Sequence, residues 1–156
     1  FAVVLIRPEH DKWKPGEHNG TFRGNNLAFI AAKVAIDHYW NDDSFAKEIN
    51  YKSEYLSARV QNIVGKHAEN NLSARGRGMF QGINCVSGAL ASQVSKIGFR
   101  EGLIIETSGD QGQVVKFLCP LTISKEKLST GLDIVERSFV EACAGVNSVH
   151  KEKKYL

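Results

Sequence analysis

The chain has 156 residues, 42% hydrophobic and 24% charged, the composition of an ordinary globular protein of about one domain. That excludes general disorder, and no apolar run approaches the roughly 18 residues needed to cross a bilayer. Twenty Lys and Arg against 17 Asp and Glu give a net charge of +3, scattered apart from a short basic cluster at 151–154, so neither nucleic acid nor a membrane surface is demanded as a partner.

The chain opens at Phe1 on an apolar stretch with no initiator Met and no basic leader, which reads as a piece of a longer protein. Residues 2–6 are apolar and partly β-branched and stop at Arg7-Pro8, the pattern of a strand buried on both faces. From Glu9 to Asn26 the turn pairs Pro15-Gly16 and Asn19-Gly20 and the lack of apolar periodicity predict a long loop. Loops of that length inside compact domains are often functional. Leu27, Ile30, Ala31, Val34, Ala35 and His38 then recur at helical spacing, with Asn25 or Asn26 as the cap. A second helix starts in Asn41-Asp42-Asp43-Ser44 and carries Phe45, Ile49, Leu56, Val60, Ile63 and Val64 on one face to about residue 70. At about 1.5 Å per residue it is ~40 Å long, enough to bridge two structural units.

Arg75-Gly76-Arg77-Gly78 precedes a strand predicted over 79–86, in which Gly82 marks close backbone approach. Leu90, Val94 and Ile97 make a short amphipathic helix ended by Gly102. Residues 103–105 and 114–118 read as a hairpin around Ser108-Gly109-Asp110-Gln111-Gly112. Ser124 caps a last helix with Leu128, Leu132, Val135, Phe139 and Ala142 inward. Helices alternating with strands, with a hairpin among them, indicate an α/β or α+β fold.

Cys85, Cys119 and Cys143 form no CxxC pair and have no His at ligand spacing, as expected of a reduced, cytoplasmic protein with its thiols packed as small apolar groups. The five histidines form neither HxxxH nor HExxH, so no metal site is expected. The Arg-Gly pairs at 75–78 occur once, in a nearly neutral chain, and read as structural instead of RNA-binding. Two places could carry chemistry. In the loop, Gly20, Thr21 and Gly24 stand directly before a helix N-terminus; small residues, a hydroxyl and free N–H groups make an anion site, or simply a capped turn. Lys116 interrupts an apolar strand, so either its face is solvated or it meets an anionic ligand.

Thr21-Phe22-Arg23-Gly24-Asn25 followed by a helix resembles the Thr-Phe-x-Gly-Asn signature of class III aminotransferases, pyridoxal-phosphate enzymes of fold type I. Arg75-Gly76-Arg77-Gly78-Met79, Gly102-Leu103-Ile104-Ile105 and Leu118-Cys119-Pro120-Leu121-Thr122-Ile123 are similar to later blocks in the same order. Within that family, residues 13–26 and Glu106-Thr107-Ser108-Gly109 look like the diaminobutyrate 2-oxoglutarate branch of ectoine biosynthesis.

The resemblance implies an α/β fold, the C-terminal part of a fold-type I aminotransferase. Residues 1–42 would end the large cofactor-binding domain, and residues 43–156 would form the interdomain helix and the small domain. It implies pyridoxal 5'-phosphate as cofactor and transfer of the glutamate amino group to aspartate 4-semialdehyde, giving 2,4-diaminobutyrate. It also implies a homodimer or higher homo-oligomer, in which Thr21, with Gly20, binds the cofactor phosphate of the neighbouring subunit. Lys116 stands where many relatives carry an Arg on a substrate carboxylate, a better bidentate partner than Lys. Arg23 departs from the usual Gly-Gly-Asn-Pro block and adds a charge facing a phosphate, a substrate carboxylate or a subunit interface. The family's Schiff-base lysine would lie upstream of Phe1, so no catalytic residue is expected here and the chain alone is expected to be inactive. The alternatives are another class III ω-aminotransferase, or a non-catalytic binding or oligomerisation module.

Overall fold

The computed structural model describes residues 2–152, with side chains as far as Gly145. The chain divides into two units, one ending at Ala46 and the other beginning at Lys47.

In the first unit, residues 2–7 form no strand, against the sequence expectation, and Val3, Val4 and Leu5 are exposed. Local β-propensity was correct as far as it goes, but a strand also needs a neighbour for its backbone N–H and C=O groups, and none of the described strands pairs with this segment. After the loop, helix α1 covers Asn26–Tyr39. Asn25 caps it by accepting a hydrogen bond from the Ala28 N–H at 3.1 Å. Its apolar residues Leu27, Ile30 and Val34 are exposed, and the helix buries no residue. The rings of Tyr39 and Trp40 pack on Phe45, with centroids 4.8 and 5.1 Å away.

Helix α2, Ser44–Lys66, runs from the first unit into the second. A 3-10 turn, Ala68–Asn70, continues it to the predicted end. The second unit holds an antiparallel sheet of β1 (Ser73–Arg77), β2 (Phe80–Asn84), β3 (Glu106–Ser108) and β4 (Val114–Phe117), in the order β1-β2-β4-β3. Helices α3 (Gly88–Arg100) and α4 (Lys125–Glu152) complete it. Ile83, Val115 and Phe117 face one side of the sheet and join a single core with Leu56, Val60 and Ile63 of α2, Leu90 and Val94 of α3, and Leu132 and Phe139 of α4. Each such side chain contributes about 1.5–3 kcal/mol by leaving water.

Ser87 and Ser124 cap α3 and α4 through their hydroxyls, which accept from the Leu90 and Lys127 N–H groups. All five apolar positions expected to face inward on α4 are buried. α3 ends as predicted at Gly102, whose φ of +90° admits glycine without strain. There Leu103 N–H donates to Gly98 O at 2.8 Å and Gly102 N–H to Phe99 O at 3.0 Å. The predicted approach at Gly82 is present: a Cβ there would lie 2.8 Å from Val114 Cγ1 and 3.0 Å from Val115 O.

Two strand boundaries differ from expectation. The hairpin's first strand begins at Glu106, because the 103–105 backbone is held by α3, through the Leu103–Gly98 bond and through the Ser95 hydroxyl donating to Ile105 O at 2.6 Å. Arg75, Gly76 and Arg77 of the Arg-Gly segment lie in strand β1, and Gly78 and Met79 form the two-residue turn before β2.

Candidate functional site

The loop before α1 is built by short local hydrogen bonds. Asn19 Nδ2 donates to Gly16 O at 3.1 Å, and Arg23 N–H donates to Gly20 O at 3.1 Å, closing a turn over 20–23. Gly20, Thr21 and Arg23 thus share one turn. Gly20 leaves room for Arg23, whose Cγ would lie 3.3 Å from a Cβ at that position. The Arg23 guanidinium folds back on His18, donating from Nη1 to the backbone oxygen at 2.7 Å and contacting the ring Nδ1 through Nη2. Thr21 is exposed, and its hydroxyl has no partner among the described residues. The Asn25 cap takes the Ala28 N–H and leaves those of Asn26 and Leu27 open at the start of α1. A hydroxyl, a small residue and a helix N-terminus in succession suit the phosphate end of a cofactor.

Lys116 lies in the second unit, on β4. Neither simple sequence alternative describes it fully. It stands on the open face of the sheet, opposite the core, with its side chain 22% exposed and its Nζ 2.7 Å from Glu106 Oε2. Register sets the pair, since Glu106 of β3 is directly opposite Lys116. The hydrogen bond and charge of Lys116 hold the Glu106 carboxyl below the usual carboxylate range. Glu106 was missed from sequence because the hairpin was placed over 103–105; with the strand beginning at 106, an acid faces a base. Lys116 and Glu106 also edge an apolar cleft of about 350 Å³ lined by Leu103, Phe117, Leu128 and Leu132.

Lys52 was missed as well. It sits on the buried stripe of α2 between Ile49 and Leu56, with its ammonium donating to Glu48 Oε1 at 2.9 Å, Leu121 O at 2.6 Å and Ile123 O at 3.1 Å. It ties α2 to the turn before α4. The three cysteines are free; burial pushes the Cys85 thiol up to about 12 and raises those of Cys119 and Cys143, so none is prepared as a nucleophile. Among the described residues no group of three His, Cys, Asp or Glu could hold a metal, and no helix is long and apolar enough to cross a membrane.

The family model for class III aminotransferases matches residues 4–139. The diaminobutyrate–2-oxoglutarate transaminase of Vibrio parahaemolyticus is 49% identical over 138 residues, 88% of this chain and 33% of that protein. The enzyme of the same name from Halomonas elongata is 51% identical over 144 residues, 91% of this chain and 34% of that protein. The chain therefore spans about a third of the length of these relatives. Among solved structures, the acetylornithine aminotransferase of Elizabethkingia anophelis superposes with a TM-score of 0.66 at 23% identity, covering 83% of this chain and 33% of that one. That likeness gives the fold, the C-terminal part of a fold-type I aminotransferase. With the family model matched across most of its length and relatives near half identical, this chain belongs to the class III aminotransferases.

Proposed function

We propose that the protein containing this chain is an aminotransferase that moves the amino group of glutamate to aspartate 4-semialdehyde, giving 2,4-diaminobutyrate and 2-oxoglutarate in ectoine synthesis. The observation that carries this reading is the 49–51% identity, over about nine-tenths of the chain, to proteins named diaminobutyrate–2-oxoglutarate transaminase. The cofactor is pyridoxal 5'-phosphate, which when bound supplies the electron sink for the reaction. In this proposal Thr21 donates its free hydroxyl to the cofactor phosphate of a neighbouring subunit of a homodimer, and Gly20 lets that phosphate approach. Lys116, and Arg23 through the guanidinium hydrogens not spent on His18, bind substrate carboxylates. The segment to residue 42 belongs to the large domain and the rest to the small domain, while the Schiff-base lysine comes from outside these 156 residues.

The test uses the full-length protein with glutamate as donor and a panel of acceptors: aspartate 4-semialdehyde, N-acetylglutamate 5-semialdehyde, succinate semialdehyde and pyruvate. The proposal expects aspartate 4-semialdehyde to have the highest kcat/KM. A higher value for another acceptor would move the protein to another branch of the family.

A further inference from the structure

Of the asparagines in the chain, Asn19 alone is followed by glycine. That neighbour matters, because a side-chain amide is lost when the next residue's backbone nitrogen attacks its carbonyl carbon, and glycine puts no Cβ in the way. The structure leaves the attack open. Asn19 and Gly20 are exposed, in a loop that is neither helix nor strand over residues 11–25. The Gly20 N–H, which must give up its proton, donates to nothing among the described residues. The Asn19 amide is tied through Nδ2 to Gly16 O at 3.1 Å, an exposed bond that water can replace.

Arg23 adds a positive contribution. It passes over Gly20 on its way to His18, and its Nε would lie 3.5 Å from a Cβ at Gly20. A cation at that place favours the anionic nitrogen that the attack requires. Other asparagines are placed differently: Asn50 and Asn62 lie inside α2, and Asn84 ends β2 with the following Cys85 N–H donating to Gln113 O at 2.8 Å.

We infer that Asn19-Gly20 is a site of spontaneous deamidation, at which the side-chain amide is replaced by a carboxylate without any enzyme. The Gly20 nitrogen, its proton taken by hydroxide, bonds to Asn19 Cγ. The Cγ–Nδ2 bond breaks and ammonia leaves with a proton from water, which restores the hydroxide. Water then opens the five-membered succinimide: at Cγ it gives aspartate, and at the Asn19 main-chain carbonyl it gives isoaspartate, with the chain rerouted through Cγ. Nothing is oxidised or reduced. Either product sets a negative charge beside the turn over 20–23, and isoaspartate also lengthens the backbone by one methylene. On the proposed function, on which this consequence alone rests, the altered turn holds the cofactor phosphate less well.

The experiment incubates the full-length protein in mildly alkaline buffer and maps it by peptide mass spectrometry, beside a synthetic peptide of residues 16–23. A gain of one dalton is expected first at Asn19, at least tenfold faster than at any other asparagine and within tenfold of the rate in the peptide. Isoaspartate is scored by enzymatic methylation of its carboxylate. Gly20→Ala should lose the fast conversion; if it does not fold, Asn19→Gln, which would need a six-membered ring, should lose it instead. Conversion first at another asparagine, conversion at Asn19 more than tenfold slower than in the peptide, or an unchanged rate in Gly20→Ala would each overturn the site. The consequence is read from Asn19→Asp, which should raise the cofactor dissociation constant at least threefold where Asn19→Gln does not. The two readings fail separately. Fast conversion at Asn19 with cofactor affinity unchanged in Asn19→Asp keeps the modification and removes the phosphate role of the turn, whereas weakened affinity in Asn19→Asp with Asn19 stable does the reverse.

Discussion

Replacing Lys52 with Met should destabilise the protein by about 2–4 kcal/mol, although it exchanges one long side chain for another in a buried place. The Lys52 side chain is 2% exposed, and its three ammonium donors are matched by three acceptors: Glu48 Oε1, Leu121 O and Ile123 O. Met keeps the apolar stem but leaves two backbone carbonyls without their donor, each costing about 1–3 kcal/mol if left unpaired. Part of that loss is offset because the variant no longer takes an ammonium out of water. Glu48 is 58% exposed, so its own share is that of a surface pair, about 0.3–0.5 kcal/mol. Urea denaturation followed by far-ultraviolet circular dichroism measures both: Lys52→Met should lower the midpoint strongly and Glu48→Gln barely. A Lys52→Met protein within ~0.5 kcal/mol of wild type, or a Glu48→Gln loss as large as that of Lys52→Met, would refute the assignment of the stabilisation to the two carbonyls.

Thr21→Ala should weaken cofactor retention by about 1.5–3 kcal/mol, the worth of a hydrogen bond to a charged group, read as the cofactor dissociation constant by equilibrium dialysis. Lys116→Met should raise the KM for glutamate or for the acceptor while leaving cofactor affinity unchanged; steady-state kinetics with both substrates varied tests this. Glu136 is held below the ordinary carboxylate value of 4.5 by hydrogen bonds from Lys66 and Arg59, against an opposing effect of burial. Its contribution to stability is therefore full above that value and lost as pH falls through the lowered one. Glu136→Gln should be less stable than wild type at neutral pH, with the difference vanishing in strong acid, as urea titrations at several pH values would show.

The legible parts of the fold were those written in a local period. α4 could be placed from a serine cap and five apolar residues at helical spacing, and α3 from the same signals plus a terminal glycine. Strands were harder, because half of their stabilisation lies in a neighbour that the local sequence does not name. Residues 2–6 have the composition of a strand and no ladder, whereas β1 has a ladder and hardly any apolar composition. Its arginines suit an edge strand, where charge discourages pairing with another chain. Lys52 shows the same limit within a helix. Its place on the stripe was visible at the spacing of Ile49 and Leu56, but only the fold brings up the two carbonyls that make a buried ammonium tolerable. At the candidate site, the loop's glycines, hydroxyl and cap were readable as an anion-binding composition. The pairing of Lys116 with Glu106 depended on a strand register that shifts when α3 holds residues 103–105.

The most direct test of the central claim is transfer of label by the full-length protein from [15N]glutamate in the presence of aspartate 4-semialdehyde and pyridoxal 5'-phosphate. The account predicts 2,4-diaminobutyrate with 15N at the 4-amino group, formed in equal amount to 2-oxoglutarate. Label appearing instead in the product of another acceptor, or no loss of glutamate nitrogen under these conditions, would contradict it.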